Sequence, residues 1–162
     1  MGGKLMSSLI WFPNSRRDNP EEVTIEIRYL PNAHPLEQTD WGSWIDLYTY
    51  EDTILKQGDQ KYINLGVSMK LPKGYEAILA PRSSTFKNWG LTQTNSIGVI
   101  DSTFNGDNDI WMFPAHATKS ITIPAGTRLC QFRIQKEQPK INFEVVDSLG
   151  TEDRGGMGSS GL

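Results

Sequence analysis

The sequence predicts an all-β protein, a compact sandwich or barrel built from many short strands in one domain. Three observations carry this. Apolar and β-branched residues recur with period two in short runs, turn residues separate the runs, and no amphipathic stretch reaches three helical turns. The length of 162 residues is enough for one domain with a real core. A hydrophobic content of 37% with 22% charged residues suits a soluble globular chain better than a disordered one.

The first run alternates Val23, Ile25, Ile27 and Tyr29 with Thr24, Glu26 and Arg28, which predicts a strand with one buried face. Further strands are expected over 44–48, 62–69, 77–80, 109–113, 121–123, 129–134 and 141–146. Leu71-Pro72-Lys73-Gly74 and Ile123-Pro124-Ala125-Gly126 each place Pro early and Gly two residues later, so each should reverse the chain. Only 83–88 carries a helix signal, one turn with a serine at its start to cap free N–H groups. Residues 11–22 are polar, hold two prolines and read as a loop. The organisation expected is one domain over 1–151 and a mobile tail over 152–162, whose four glycines and two serines would be ordered only by a ligand. Arg154, set among those glycines, is a cation that can close over a phosphate.

Composition narrows the function classes. The net charge of −3 disfavours a broad electrostatic grip on nucleic acid, but not a small phosphorylated ligand held by local cations or a metal ion. The single cysteine, Cys130, allows no intramolecular disulfide and favours a reducing compartment, hence a cytoplasmic location. With His34 and His116 it makes too small and too scattered a set for zinc. No apolar run approaches the roughly 20 residues of a membrane helix, and the first ten residues lack the pattern of a signal peptide.

Three segments carry chemistry. Pro81-Arg82-Ser83-Ser84 follows a strand; Arg supplies a planar fork of donors, and the serines supply hydroxyls and N–H groups for phosphate oxygens. The same residues also suit a solvated turn. In Gly98-Val99-Ile100-Asp101-Ser102 an apolar strand end delivers a carboxylate into a loop. Burial beside Val99 and Ile100 would raise the Asp101 pKa and fit it as a base for water, whereas an exposed Asp101 would simply start an Asx-turn. Gly126-Thr127-Arg128-Leu129-Cys130-Gln131 enters a third strand, where alternation puts Arg128, Cys130 and Phe132 on one face and Leu129, Gln131 and Arg133 on the other. Cys130 reads as a small buried side chain rather than a nucleophile.

Together and in this order, these segments resemble the trimeric dUTP diphosphatase (dUTPase) family, which is marked by five ordered motifs. Trp44-Ile45-Asp46-Leu47-Tyr48 is similar to the first, Pro81-Arg82-Ser83-Ser84 to the second, and Asn95 through Gly106 to the third. Gly126 through Gln131 is similar to the fourth, and Asp153 through Gly161 to the fifth. The resemblance implies a jelly-roll-like β fold, a homotrimer with active sites shared between subunits, and Mg²⁺-dependent hydrolysis of dUTP to dUMP and pyrophosphate. That reaction limits uracil incorporation into DNA and supplies dUMP for thymidylate synthesis. Carried over by position, Asp101 would activate the attacking water. Asn95 and the backbone of Ile97, Gly98 and Val99 would read uracil, and Phe104 would stack on the deoxyribose. Arg82, Ser83, Ser84 and Gln131 would serve the phosphates, with Arg82 also suited to bracing a subunit interface. Asp46 would touch the metal through water, the triphosphate supplying the direct ligands. Arg154 would bind the γ-phosphate, and Met157 and Ser159 would complete the C-terminal closure.

The pattern departs from the family in places. Met157 stands where the family covers the uracil ring with Phe, and the spacing from Arg154 is short. Thr103 occupies a position often acidic or Gly, Phe104 one often Tyr, and Ser43 precedes the first motif's aromatic where Gly is usual. Two other functions fit parts of the pattern. A dCTP deaminase shares the fold and an Arg-Ser-Ser motif. A nucleotide-responsive regulator of other proteins would use residues 11–22 and Trp41, Trp44 and Trp89 as contact surfaces.

Overall fold

Alternation over residues 128–136 builds the longest strand and the centre of the main sheet. The computed structural model describes residues 22–39, 41–153 and 155. Among them the strands are β1 (Glu26–Tyr29), β2 (Ile45–Tyr48), β3 (Thr53–Leu55), β4 (Gln60–Asn64), β5 (Val67–Lys70), β6 (Tyr75–Pro81), β7 (Leu91–Gln93), β8 (Gly98–Ile100), β9 (Met112–Ala117), β10 (Ile121–Ile123) and β11 (Arg128–Lys136), with one helix, α1 (Thr85–Trp89). β11 pairs antiparallel with β6 from Cys130 opposite Pro81 to Lys136 opposite Tyr75, and on its other side with β2, where Gln131 faces Asp46. β8 extends this sheet, giving the order β2-β11-β6-β8. A second sheet has the order β4-β9-β7, and two-stranded pairs β1-β5 and β10-β3 complete the set.

The apolar faces of these sheets share one core. Leu47, Leu79, Leu129 and Phe132 come from the larger sheet, Ile63, Leu91, Phe113 and Ala115 from the smaller, and Leu55 and Ile123 from β3 and β10. Phe132 meets Trp111 edge to face at 5.1 Å between ring centroids, a favoured aromatic geometry. Both Pro-x-x/x-Gly reversals form: Gly74 and Gly126 take φ values of 83° and 74°, and Tyr75 N–H donates to Pro72 O.

Several expectations are corrected. The run 62–69 is two strands, because Gly66 breaks it at φ 72°; a Cβ there would lie 2.9 Å from both Ala33 and Tyr50. The strand expected over 109–113 begins at Met112, since Asp109 closes the preceding loop by accepting the Gly106 N–H at 2.7 Å. The run 141–146 pairs with no strand, and Phe143 and Val145 are exposed; an alternating segment becomes a strand only where an edge receives it. β1 lacks the buried face its alternation predicts: Ile27 and Tyr29 stay 37% and 36% exposed, over a shallow groove with Leu36, Ile45 and Met69. A β-bulge between Arg128 and Cys130 breaks the phase of β11. Leu129 and Cys130 are therefore both buried, Arg128 is exposed, and Gln131 does not share a face with Leu129. Short β3 and β7 had no sequence signal strong enough to separate them from turns. Of the three tryptophans read as contact surfaces, Trp41 is exposed, Trp89 packs on the core, and Trp44 lies under the Arg133 guanidinium at 5.9 Å.

Phe132→Ala removes the ring at the meeting point of the sheets and should cost about 3–5 kcal/mol, read as a lowered midpoint in urea unfolding with an unchanged slope.

Candidate active site

The third motif folds into a turn that carries the chain from β7, paired with β9, to β8, paired with β6. Gly98 lets β8 approach β6 closely, since a Cβ there would lie 3.2 Å from Leu79 Cβ. The turn at 94–97 is held by Ser96, with φ 62°, and by the Ile97 N–H donating to Asn95 O at 2.6 Å. A cavity of about 350 Å³ opens beside this turn and β8. Asn95, Gly98, Val99, Ile100, Asp101 and Phe104 line it from the motif, and Tyr62, Met112 and Pro114 line it from β4 and β9. The structure thus brings five of the expected residues (Asn95, Gly98, Val99, Asp101 and Phe104) around one space. Ile97 is half-exposed and is not on its wall.

Gln93 is a site residue the sequence did not announce. Its buried Nε2 donates to Leu79 O at 3.2 Å and to Asn95 Oδ1 at 2.9 Å. That pins the Asn95 carbonyl, so the Asn95 NH₂ is the group left for a ligand. A Gln two residues before an Asn on a short strand was the only available signal. Tyr62, Met112 and Pro114 were also missed, because sequence gives no register between β9 and β4.

Asp101 is exposed, so the expected rise in its pKa from burial does not occur. Its carboxylate accepts both the side-chain hydroxyl and the backbone N–H of Thr103, the latter at 2.9 Å. These hydrogen bonds favour the charged form and hold the carboxyl below its usual range, with a further contribution from the Phe104 N–H. The result is a carboxylate ionised at neutral pH, and at the same time the start of an Asx-turn. The loop that follows is stiff. Asn105 Nδ2 donates to Ser102 O at 2.8 Å, and Arg28 and Ser68 both donate to Asp107 O. Phe104 projects into the cavity with 41% of its surface exposed, as a face for a flat or puckered ring.

The second and fourth motifs meet at the other end of the main sheet. Arg82 Nε donates to Asp46 Oδ1 at 2.9 Å, and Arg128 lies 3.7 Å from Asp46 Oδ2. Gln131, opposite Asp46 in the ladder, donates Nε2 to Pro81 O at 3.1 Å, which leaves its carbonyl oxygen and second N–H. Thr85 braces this turn: its buried hydroxyl accepts the Arg82 N–H at 2.8 Å and donates to Leu129 O at 2.7 Å. The helix signal at 83–88 resolves as α1, with Ser84 at the N-cap, but the Ser84 side chain makes no capping bond. Ser83 is exposed and Ser84 half-exposed, both accessible to an anion. Cys130 is fully buried, and desolvation together with the Asp46 charge pushes its thiol well up, which leaves it inert.

The two groups do not meet within one chain. Asp101 leaves β8 beside the start of β6, and Arg82 leaves the end of β6. β6 is seven residues long, and extended chain of that length spans roughly 20 Å. Among the described residues no group of three or more His, Cys, Asp or Glu is placed to hold a metal ion. Both Asp46 oxygens face arginine, so a metal there would need further oxygen ligands brought by a bound molecule. Arg154, Met157 and Ser159 lie outside the described residues.

A family model described as dUTPase matches residues 34–161. The chain is 50% identical over 140 residues to the SPbeta prophage-derived deoxyuridine 5'-triphosphate nucleotidohydrolase YosS of Bacillus subtilis, covering 86% of this chain and 99% of that protein. It is 32% identical over 145 residues to the deoxyuridine 5'-triphosphate nucleotidohydrolase of Thermobifida fusca, covering 86% and 79%. Its fold is similar to that of a mutant dUTPase of Staphylococcus bacteriophage 80alpha solved with dUpNHpp, at a TM-score of 0.71 and 18% identity, covering 86% of this chain and 99% of that one. It is also similar to a mutant dUTPase of phage phi11 of S. aureus, whose structure is described as revealing a structural Mg(II) ion, at a TM-score of 0.69 and 17% identity, covering 78% and 99%.

Thr85→Val keeps the shape of the side chain but leaves the Arg82 N–H and Leu129 O without their partner. Chemical denaturation should register a loss of about 2 kcal/mol, and amide exchange at Arg82 should quicken.

Proposed function

The chain belongs to the dUTPase family, and on that premise we propose how its residues carry out the hydrolysis of dUTP. The observation that carries the reading is the cavity lined jointly by Asn95, Gly98, Val99, Asp101 and Phe104. Uracil enters between the 94–97 turn with β8 and the β4–β9 wall. The Asn95 NH₂ and the backbone of Gly98 and Val99 read its edge. Cytosine is refused because its exocyclic amine reverses the donor and acceptor order, leaving buried polar groups unpaired. Phe104 packs on the deoxyribose, where a 2′-hydroxyl would crowd the ring. Asp101 takes a proton from a water molecule, whose oxygen bonds to phosphorus as the P–O bond to pyrophosphate breaks, giving dUMP and pyrophosphate. This reaction takes the place of the deaminase alternative, which would need a base aimed at the pyrimidine ring.

Ser83, Ser84 and Gln131 bind phosphate oxygens, and Arg82, held by Asp46, shapes the turn that presents them. Mg²⁺ bound to the triphosphate supplies charge neutralisation and orientation of the phosphates, with Asp46 reached through water. Arg154 binds the γ-phosphate and Met157 and Ser159 complete a closure formed by residues 152–162. The active site is shared between subunits of a homotrimer: the length of β6 between Asp101 and Arg82 supports this, and so does the exposed apolar face of residues 141–146. A single buried cysteine fits a reducing, cytoplasmic setting.

Asp101→Asn should lower turnover at least about 1,000-fold while dUpNHpp still binds, measured by pyrophosphate release and by calorimetry. Unchanged turnover removes Asp101 from the mechanism. Mixing Asp101→Asn chains with Ser83→Ala/Ser84→Ala chains, unfolding and refolding them together, should restore activity that neither has alone, because some sites then draw an intact half from each partner. No recovery would place each site within one chain.

A further inference from the structure

Asp101 does not stand alone in its loop. Thr103 gives both of its donors, the backbone N–H at 2.9 Å and the side-chain hydroxyl, to one and the same oxygen, Asp101 Oδ1. A carboxylate can only accept, so the threonine hydroxyl is the donor. The turn that makes this possible is itself held at both ends: the Phe104 N–H donates to Asp101 O at 3.2 Å, and Asn105 Nδ2 bonds Ser102 O. A β-branched side chain in such a turn has few rotamers, so its hydroxyl is fixed in advance. Neither Thr103 bond goes to Oδ2.

We propose that Thr103 is a positioning residue for dUTP hydrolysis: it clamps Oδ1 twice, fixes the plane of the Asp101 carboxylate, and leaves Oδ2 as the oxygen that takes the proton from water. The inference rests on the reading of Asp101 as the base.

The charged groups around Asp101 do not account for its titration. Glu76 on the neighbouring strand β6 accepts from Gln135, Glu137 beyond β11 accepts from Ser102, and Asp109 accepts from the Gly106 N–H. Asp107 lies further along the loop, and Tyr62 is the titratable side chain on the facing wall. The causes of the lowered Asp101 pKa are the Thr103 and Phe104 hydrogen bonds, opposed by desolvation. Losing the hydroxyl removes stabilisation of the charged form, so the Asp101 pKa must rise and the acid limb of kcat/KM must move to higher pH.

The test compares Thr103→Val, which keeps the shape and the backbone bond, with Thr103→Ser, which keeps the hydroxyl. Thr103 is exposed, so neither variant disturbs the core. In Thr103→Val the Asp101 carboxyl, titrated by carbon-13 NMR in the free protein, should shift up by about half to one pH unit, with the acid limb of kcat/KM moving alike. On the plateau kcat should fall about 3- to 10-fold with KM nearly constant, a loss of orientation rather than of binding. Thr103→Ser should restore both. An unmoved Asp101 titration in Thr103→Val, or a serine variant as impaired as the valine one, overturns the proposal. Asp101→Asn is the separate control: if it retains turnover, the base itself is misassigned, whatever Thr103 does.

Discussion

The pairing of β6 with strands on both sides sets where all of the site chemistry lies. On one side β11 runs along its whole length and brings Gln131 and Asp46 to the end where Arg82 leaves. On the other side β8 pairs with its middle, Ala77 to Leu79, and runs antiparallel so that Asp101 leaves toward the opposite end. Antiparallel ladders fix such placements rigidly, because slipping by one residue turns every side chain to the wrong face. The separation between Asp101 and the Arg82 turn is therefore a property of the sheet. It is the feature on which the proposal of a site shared between chains rests.

The sequence made much of this legible, and unevenly. Segments whose meaning is local were read well. The reversals at Pro72 and Pro124, strand β10 and the strand before Arg82 all announce themselves through turn chemistry and alternation. The turn and strand over Asn95–Asp101 were legible because their residue order matches a family motif, whereas period alone gave only a strand end. What stayed hidden depends on long-range pairing. Gln93 matters because it is buried beneath Asn95 and beside Leu79, and Tyr62 because β4 happens to lie across the cavity from β8. The error over Asp101 was of a different kind: apolar neighbours in sequence suggested burial, but Val99 is itself 60% exposed and the carboxylate finds hydroxyl and amide donors instead. Residues 141–146 show the converse, a period-two pattern that one chain alone leaves without a ladder.

The electrostatics resolve how a chain of net charge −3 handles a polyanion. Its cations are not pooled into a basic surface. Arg82 and Arg128 converge on the single carboxylate of Asp46, so the phosphate end carries a local positive excess held in fixed geometry. Fixed hydroxyls and N–H groups can then do the binding without the indiscriminate attraction of a lysine-rich face. At the other end Asp101 is supported by the neutral donors of Thr103 and makes no ion pair among the described residues.

The bulge between Arg128 and Cys130 has a consequence for how this gene can drift. It inserts a half-step that lets Leu129 and Cys130 both face inward while Gln131 stays available to a ligand. Substitutions around it alter size or polarity one position at a time, and packing can absorb them. A single-codon deletion in the same place would instead erase the half-step and reverse the inside and outside of the strand from that point to the preceding turn. Length, more than residue identity, is what selection must guard there.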